Sequence, residues 1–256
     1  MIDNDLYDRL ADTWWSENGF LNLLQSTINP WRVSYFKRIL SELHVDPRGA
    51  RALDVGCGGG LLAEEIAALG FSVTGIDPSS RSLEVARQHA LQSGLPIDYQ
   101  LGEGAKLEFC DASFQIAFCC DTLEHIHDWD AVIGEIARVL RRGGVFFYDT
   151  INRTTASKIR SIKMAQEWKW TRYAPPNTHV WEMFITPAEL KASLQAHGLQ
   201  PRAVVGTAPK GNPLQAILMT LQYKAGRISG TEMGKRIAMN EGSVMSGSYM
   251  GYALKQ

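Results

Sequence analysis

A chain of 256 residues can bury a substantial core and sits near the upper size of a single domain. Its formal charge of −1 supplies no basic field, which gives a nucleic-acid partner no electrostatic support and favours a small-molecule substrate. The cysteines lack C-x-x-C spacing, the start Met1-Ile2-Asp3-Asn4-Asp5 has no basic-then-apolar signal pattern, and no run of about eighteen apolar residues occurs. The expectation is a cytoplasmic protein with reduced thiols, soluble or peripherally bound to a membrane.

Residues 1–48, with Trp14, Trp15 and Trp31, are expected to form an N-terminal helical lid. Between about 49 and 150, strand-like runs alternate with helical patterns, which predicts a parallel sheet with helices on both faces. The first strand, Ala52-Leu53-Asp54-Val55, enters a glycine-rich bend, and a helix from Leu61 to Leu69 stops at Gly70. The second strand ends at Asp77; Ser79 or Ser80 caps the helix that follows, which runs to Ser93-Gly94. A third strand lies near Ile97-Asp98-Tyr99 and a fourth spans Phe114 to Cys120. A helix over Ala131 to Leu140 is closed by Arg141-Arg142-Gly143-Gly144, and Val145-Phe146-Phe147-Tyr148 forms the fifth strand. Beyond it the stretches 152–186 and 209–246 read as irregular substrate caps. They are separated by a helix opening at Thr186-Pro187 and a strand near Ala203-Val204-Val205, and Ser248 to Leu254 supplies the last strand. The sum is one α/β domain built on a doubly wound, seven-stranded, mostly parallel sheet, with a lid (1–48), a cofactor-binding core (49–150) and a cap with the final strands (151–256).

The bend itself carries chemistry. Glycines permit positive φ and remove the Cβ atoms that would hold a ligand off the backbone. The helix beyond Gly59 points unpaired N–H groups and a positive dipole end toward whatever lies there. Asp77, roughly twenty residues on, is placed to accept hydrogen bonds from ribose hydroxyls. A nicotinamide cofactor would ask for G-x-G-x-x-G, but counting from Gly56 puts Leu61 at the third position, and counting from Gly58 puts Ala63 there. What remains, acidic-x-Gly-x-Gly-x-Gly from Asp54 to Gly60, resembles motif I of the class I S-adenosylmethionine-dependent methyltransferases.

Further segments extend the resemblance to one family, the ubiquinone-biosynthesis O-methyltransferases. Trp14-Trp15, Ile28-Asn29-Pro30-Trp31-Arg32, Leu123-Glu124-His125, Ile151-Asn152-Arg153, Thr178-His179 and Phe184-Ile185-Thr186-Pro187-Ala188-Glu189-Leu190 fall in family order across residues 5–200. The resemblance implies that Arg32 meets the methionine carboxylate of S-adenosylmethionine, that Asp54, Gly56, Gly58 and Asp77 form its cradle, that Cys120 walls it, and that Glu103 lies by the adenine. It also implies a polyprenylated phenol or catechol as the methyl acceptor. From about residue 205 to Met245-Ser246 the chain departs from the family pattern, which leaves a small soluble metabolite, methylated at oxygen or nitrogen, as the alternative acceptor.

Methyl transfer is an in-line displacement, so the protein must position two reactants and ease deprotonation of the acceptor. Asp121, Glu124 and His125 are spaced i, i+3, i+4, which puts them on one face if the segment is helical. The set then either holds Mg²⁺ beside a catechol or simply shapes the cofactor pocket. His179 is the candidate general base, with a structural histidine as the alternative. Between Lys158 and Tyr173, cations such as Lys163, Lys169 and Arg172 alternate with Trp168 and Trp170. That stretch is expected to be mobile, and serves either as a membrane contact or as a lid over the acceptor. A non-catalytic sensor would need the cofactor cradle but not the paired acidic and histidine positions.

Overall fold

The computed structural model describes residues 3–209, 213–237 and 239–256. In chain order its strands are β1 (Arg51–Val55), β2 (Ser72–Asp77), β3 (Asp98–Leu101), β4 (Phe114–Cys120), β5 (Leu140–Ile151), β6 (Leu199–Pro209), β7 (Met239–Gly242) and β8 (Ser248–Lys255). Its helices are α1 (Leu6–Arg9), α2 (Leu23–Thr27), α3 (Asn29–Glu42), α4 (Leu61–Ala68), α5 (Ser80–Gln92), α6 (Trp129–Val139), α7 (Thr155–Ser157), α8 (Pro187–Ala196), α9 (Pro213–Lys224) and α10 (Gly230–Arg236). The strands form one sheet in the order β3-β2-β1-β4-β5-β8-β6-β7. Strands β1 to β5 pair in parallel, whereas β8, β6 and β7 join antiparallel.

The sheet is therefore mixed, with eight strands in place of the seven expected, and four of its seven strand pairings are parallel. The additional strand is β7, whose Met239-Asn240-Glu241-Gly242 has no β-branched residue and pairs only with the end of β6. The two stretches expected to be irregular hold α7, a π-helical continuation over Lys158–Glu167, α9 and α10. Of the divergent segment, Lys210, Gly211, Asn212 and Ala238 lie outside the described residues. Arg141 to Gly144 belong to β5 and do not close a helix; α6 stops at Val139, where Leu140 turns to an extended ψ of 133°.

The central strands are buried on both faces, which is why they read as continuous apolar runs with no alternation. On one face, α3, α4 and α5 bring Phe36, Ile39, Ile66 and Leu83 onto Phe118 and Phe147. Phe118 and Phe147 stack on each other, and Phe36 packs against both at centroid distances of 5.1 and 4.6 Å. Its truncation to alanine would cost about 3–5 kcal/mol in transfer and cavity terms. On the other face, α6 and α8 pack Val132, Ile133, Ile136, Leu190 and Leu194 against Phe114, Phe146 and Tyr148. Ser79 caps α5 by accepting from Ser82 N–H, and Thr186 with Glu189 forms a capping box on α8. The strand order reverses between β1 and β4, so a crevice opens at their carboxyl ends.

Candidate active site

A cavity of about 1080 Å³ occupies that crevice and continues beneath the N-terminal helices toward α9 and α10. At its sheet end lies the glycine bend. Gly58 has φ +51°, and a Cβ there would come within 2.5 Å of the Trp14 ring. Gly56, at φ +78°, would meet Thr122 at 2.3 Å. Neither position tolerates a side chain, so the backbone of the bend faces the cavity directly.

Asp77 binds this bend from below. Its Oδ2 accepts from Gly58 N–H at 2.8 Å and its Oδ1 from Ser79 N–H at 2.9 Å. Burial pushes its carboxyl up to about 6, against the pull of those two donors. Asp54, at the end of β1, is 2% exposed, and its Oδ2 has no hydrogen-bond partner among the described residues. Burial raises it to about 7 despite the Arg32 charge. Cys120 lines the same wall, and burial holds its thiol well above the ordinary range, so it is a neutral apolar surface rather than a nucleophile. Glu103 is exposed at the rim and bridges by backbone to Lys106.

Arg32, buried on α3, is shared between two carboxylates: Asp121 at 2.5 Å and Asp149 at 2.7 Å. Burial works to lower the guanidinium, and the two carboxylates outweigh it and hold it well above its ordinary value. Asp149 also accepts from Asp121 N–H at 2.9 Å, which fixes the turn after β4. Sequence reasoning missed Asp149 because it sits inside an apolar strand with no motif around it.

That turn corrects the spacing argument. Asp121 has φ +50°, and the helical turn begins only at Leu123, so Asp121 does not share a face with Glu124 and His125. Its carboxylate faces Arg32. His179 takes the third place instead: one ligand atom each from Glu124, His125 and His179 lie within 4.8 Å of one another. Glu124 Oε2 accepts from Thr150 Oγ1 at 2.8 Å, while Glu124 Oε1 and His179 Nδ1 are buried without a described hydrogen-bond partner. Burial raises Glu124 to about 8, with Asp121 adding to it, and lowers His179 to about 4. His125 is also pushed well down, by burial and then by His179. At neutral pH the cluster is thus a protonated acid beside two neutral imidazoles.

His179 is held by Gln166, whose amide oxygen accepts from His179 N–H at 2.9 Å and whose amide N–H donates to the His179 carbonyl at 3.3 Å. This clamp ties the Lys158–Glu167 stretch to the site. Trp170, at 78% exposure, still faces outward.

The N-terminal segment closes the cavity with Trp14 and Trp15, which the family resemblance includes, and with Tyr7, which it does not. Tyr7 shares a hydrogen bond with the His125 ring at 3.2 Å. Trp14 Nε1 donates to Ser82 Oγ at 2.9 Å and Trp15 Nε1 to the Gly59 carbonyl at 2.8 Å. Trp15 also stacks on His89, with ring centroids 3.4 Å apart, and His89 pairs with Glu64. Tryptophans at adjacent positions could have suggested a platform; Tyr7 could not have been found from the sequence.

Comparison with known proteins agrees with this geometry. The family model described as a methyltransferase domain matches residues 53–148, from β1 to β5. A ubiquinone biosynthesis O-methyltransferase of Xanthomonas axonopodis pv. citri is 40% identical over 203 residues, covering 79% of this chain and 82% of that protein. One of the same name from Idiomarina loihiensis is 37% identical over 216 residues, covering 84% and 85%. Among solved structures, an S-adenosylmethionine-dependent methyltransferase from Aquifex aeolicus superposes with a TM-score of 0.59 over all of both chains at 15% identity, which attests the shared Rossmann-like fold.

Proposed function

The chain belongs to the ubiquinone biosynthesis O-methyltransferase family of S-adenosylmethionine-dependent enzymes, and on that premise we propose that it methylates a ring hydroxyl of a polyprenylated phenol or catechol. The observation that carries the choice of an acidic hydroxyl is the pair His125 and His179, which face the same cavity as the glycine bend with Glu124 buried beside them. When bound, S-adenosylmethionine supplies a methyl group on an activated sulfonium. The cradle fits it: a bend with glycine at positions 56 and 58–60, the open N-terminus of α4, Asp77 with lone pairs left over for ribose hydroxyls, and Arg32 for the amino-acid end.

On the acceptor side, His179 takes the hydroxyl proton at its free Nδ1, and Gln166 holds the backbone that carries the imidazole. His125, backed by Tyr7, closes the pocket beside the reacting oxygen and excludes water, and Glu124, held by Thr150, lies buried behind it. Mg²⁺ does not fit this cluster well. It takes oxygen donors in near-octahedral geometry, whereas one carboxylate and two imidazoles suit a borderline ion such as Zn²⁺. The reaction as derived needs neither.

Residues 1–48 act as the lid, 49–150 as the cofactor-binding core and 151–256 as the acceptor-side cap. No helix among the described residues is long and apolar enough to cross a membrane. A prenylated acceptor is reached instead from the membrane surface. Trp168 and Trp170 beside Lys163, Lys169 and Arg172, together with exposed Leu214, Leu218 and Leu221 on one face of α9, combine apolar anchors with cations. Labelled methyl transfer to prenylated catechols, plain catechols and amines tests the reading. Transfer to the prenylated catechol supports it, and transfer to amines alone overturns it.

A further inference from the structure

A short strap at the start of the N-terminal segment touches both ends of the cavity. Its helix α1 has four residues, no side-chain cap at its N-terminus and a single buried residue, Leu6. A turn of that length does not stand alone in water, so its place is set by what it touches. Toward the cofactor cradle, Asp8 Oδ1 accepts from Ser79 Oγ at 2.6 Å, and Ser79 in turn donates its N–H to Asp77. The Tyr7 carbonyl accepts from Ser82 Oγ at 3.3 Å, at the start of α5. Toward the acceptor end, Asn4 Nδ2 donates to the His125 carbonyl at 3.1 Å, and Asp3 N–H donates at 3.3 Å to the carbonyl of Asn177, close before His179 in the chain. The Tyr7 hydroxyl lies 3.2 Å from His125 Nε2 and 3.4 Å from Nδ1, with the two rings at 90°.

Tyr7 is the one hydrogen-bond partner of the His125 ring among the described residues. Without it the imidazole keeps its packing against His179, at a centroid distance of 5.0 Å, but loses what fixes its rotation. Because neighbouring residues of one turn make both sets of contacts, releasing the turn breaks them together. The strap thus has two states, docked and released, and both ends of the cavity respond to which one holds. Asn4, Asp5, Tyr7 and Asp8 line the cavity with Gly58, Asp77 and Ser79. A ligand on the glycine bend gains contacts with them only in the docked state, which shifts the balance toward it.

We infer that this strap couples the two halves of the site: cofactor binding docks residues 3–10, and docking sets the His125 ring, with Tyr7 as the positioning residue and Asp8 as the anchor on the cofactor side. The inference rests on the S-adenosylmethionine reading of the cradle and holds for any acceptor. The cofactor then binds first, and the acceptor pocket is complete only afterwards.

The test uses the full chain labelled with ¹⁵N-histidine, with and without saturating S-adenosylhomocysteine. It follows the His125 ring nitrogens, assigned by their loss in His125→Asn, and the amide exchange of Arg9 and Leu10, whose N–H groups bond within the turn. In the wild type the ligand should slow both amides by about 5- to 150-fold, the range of ordinary coupling between sites, and shift the His125 nitrogens. Asp8→Ala removes no hydrogen bond at His125, yet it should abolish both responses in protein still saturated with the ligand. Asp8→Asn, which keeps an acceptor for Ser79 Oγ, should restore them. Tyr7→Phe should keep the amide response and lose the ring response. A His125 shift that survives Asp8→Ala or Tyr7→Phe would overturn the inference, because the ligand would then reach the ring directly. So would a wild type in which ligand binding leaves either signal unchanged. Absence of S-adenosylhomocysteine binding removes the cofactor reading and the strap together. Catechols left unmethylated by a protein whose His125 responds as expected sustain the strap and remove the acceptor reading alone.

Discussion

Replacing Asp77 with alanine removes two kinds of hydrogen bond at once. Each carboxylate oxygen already takes one backbone N–H, from Gly58 and Ser79, and the remaining lone pairs are those that ribose hydroxyls would meet. Hydrogen bonds to a charged group contribute about 1.5–3 kcal/mol, so the dissociation constant for S-adenosylhomocysteine should rise by about 10- to 150-fold. Asparagine should not rescue it, because its NH₂ would face one of the two backbone donors. Isothermal calorimetry on a variant with an unchanged circular dichroism spectrum reads the effect. The same group predicts a pH dependence. Asp77 titrates near about 6 in the ligand-free protein, and the charged form is the better acceptor, so affinity should be level above pH 7 and weaken as pH falls through 6. A dissociation constant in Asp77→Ala within about twofold of wild type would refute the placement of ribose on this carboxylate.

Other consequences concern charge, metal and membrane. Asp54 and Glu124 have folded pKa values raised to about 7 and about 8. A raised acid stabilises the fold in its protonated form, and that contribution is lost as pH rises through the folded value. The melting temperature of the ligand-free protein should therefore be higher at pH 6 than at pH 8, and a steady rise across that window would contradict the burial argument. Turnover should survive EDTA with His179 as the base; its loss, restored by added Zn²⁺ or Mg²⁺, would make Glu124, His125 and His179 a metal centre. Anionic liposomes should bind the protein, and changing Lys163, Lys169 and Arg172 to glutamate should abolish the binding without lowering turnover of a short-chain acceptor. Liposome binding that persists in the triple variant would move the contact elsewhere.

The cofactor half of the cavity was legible because its parts are consecutive. A strand, a glycine bend and the next strand end are written in one stretch from Leu53 to Asp77, and local backbone needs dictate the residue types. The acceptor half is assembled from distant pieces. His179 meets Glu124 and His125 only because Gln166 clamps the intervening segment. The i, i+3, i+4 spacing misled at Asp121 because a left-handed residue there breaks the helix before it starts. Tyr7 and Asp149 carry no local pattern; what marks them is who lies opposite, which a sequence does not contain. The same is true of β7, whose pairing with β6 outweighs a weak strand propensity.

The central claim is that the buried cluster at the cavity's acceptor end removes the proton from the ring hydroxyl during methyl transfer. Single-turnover kinetics of His179→Gln, with S-adenosylmethionine and a prenylated catechol, test it most directly. The side chain contributes no described hydrogen bond to the fold through Nδ1, so the variant should keep its structure and its affinity for S-adenosylhomocysteine. The account predicts a fall in the chemical rate of about 10²- to 10⁴-fold, partly recovered at high pH where the hydroxyl ionises unaided. A rate within about threefold of wild type at neutral pH would contradict it.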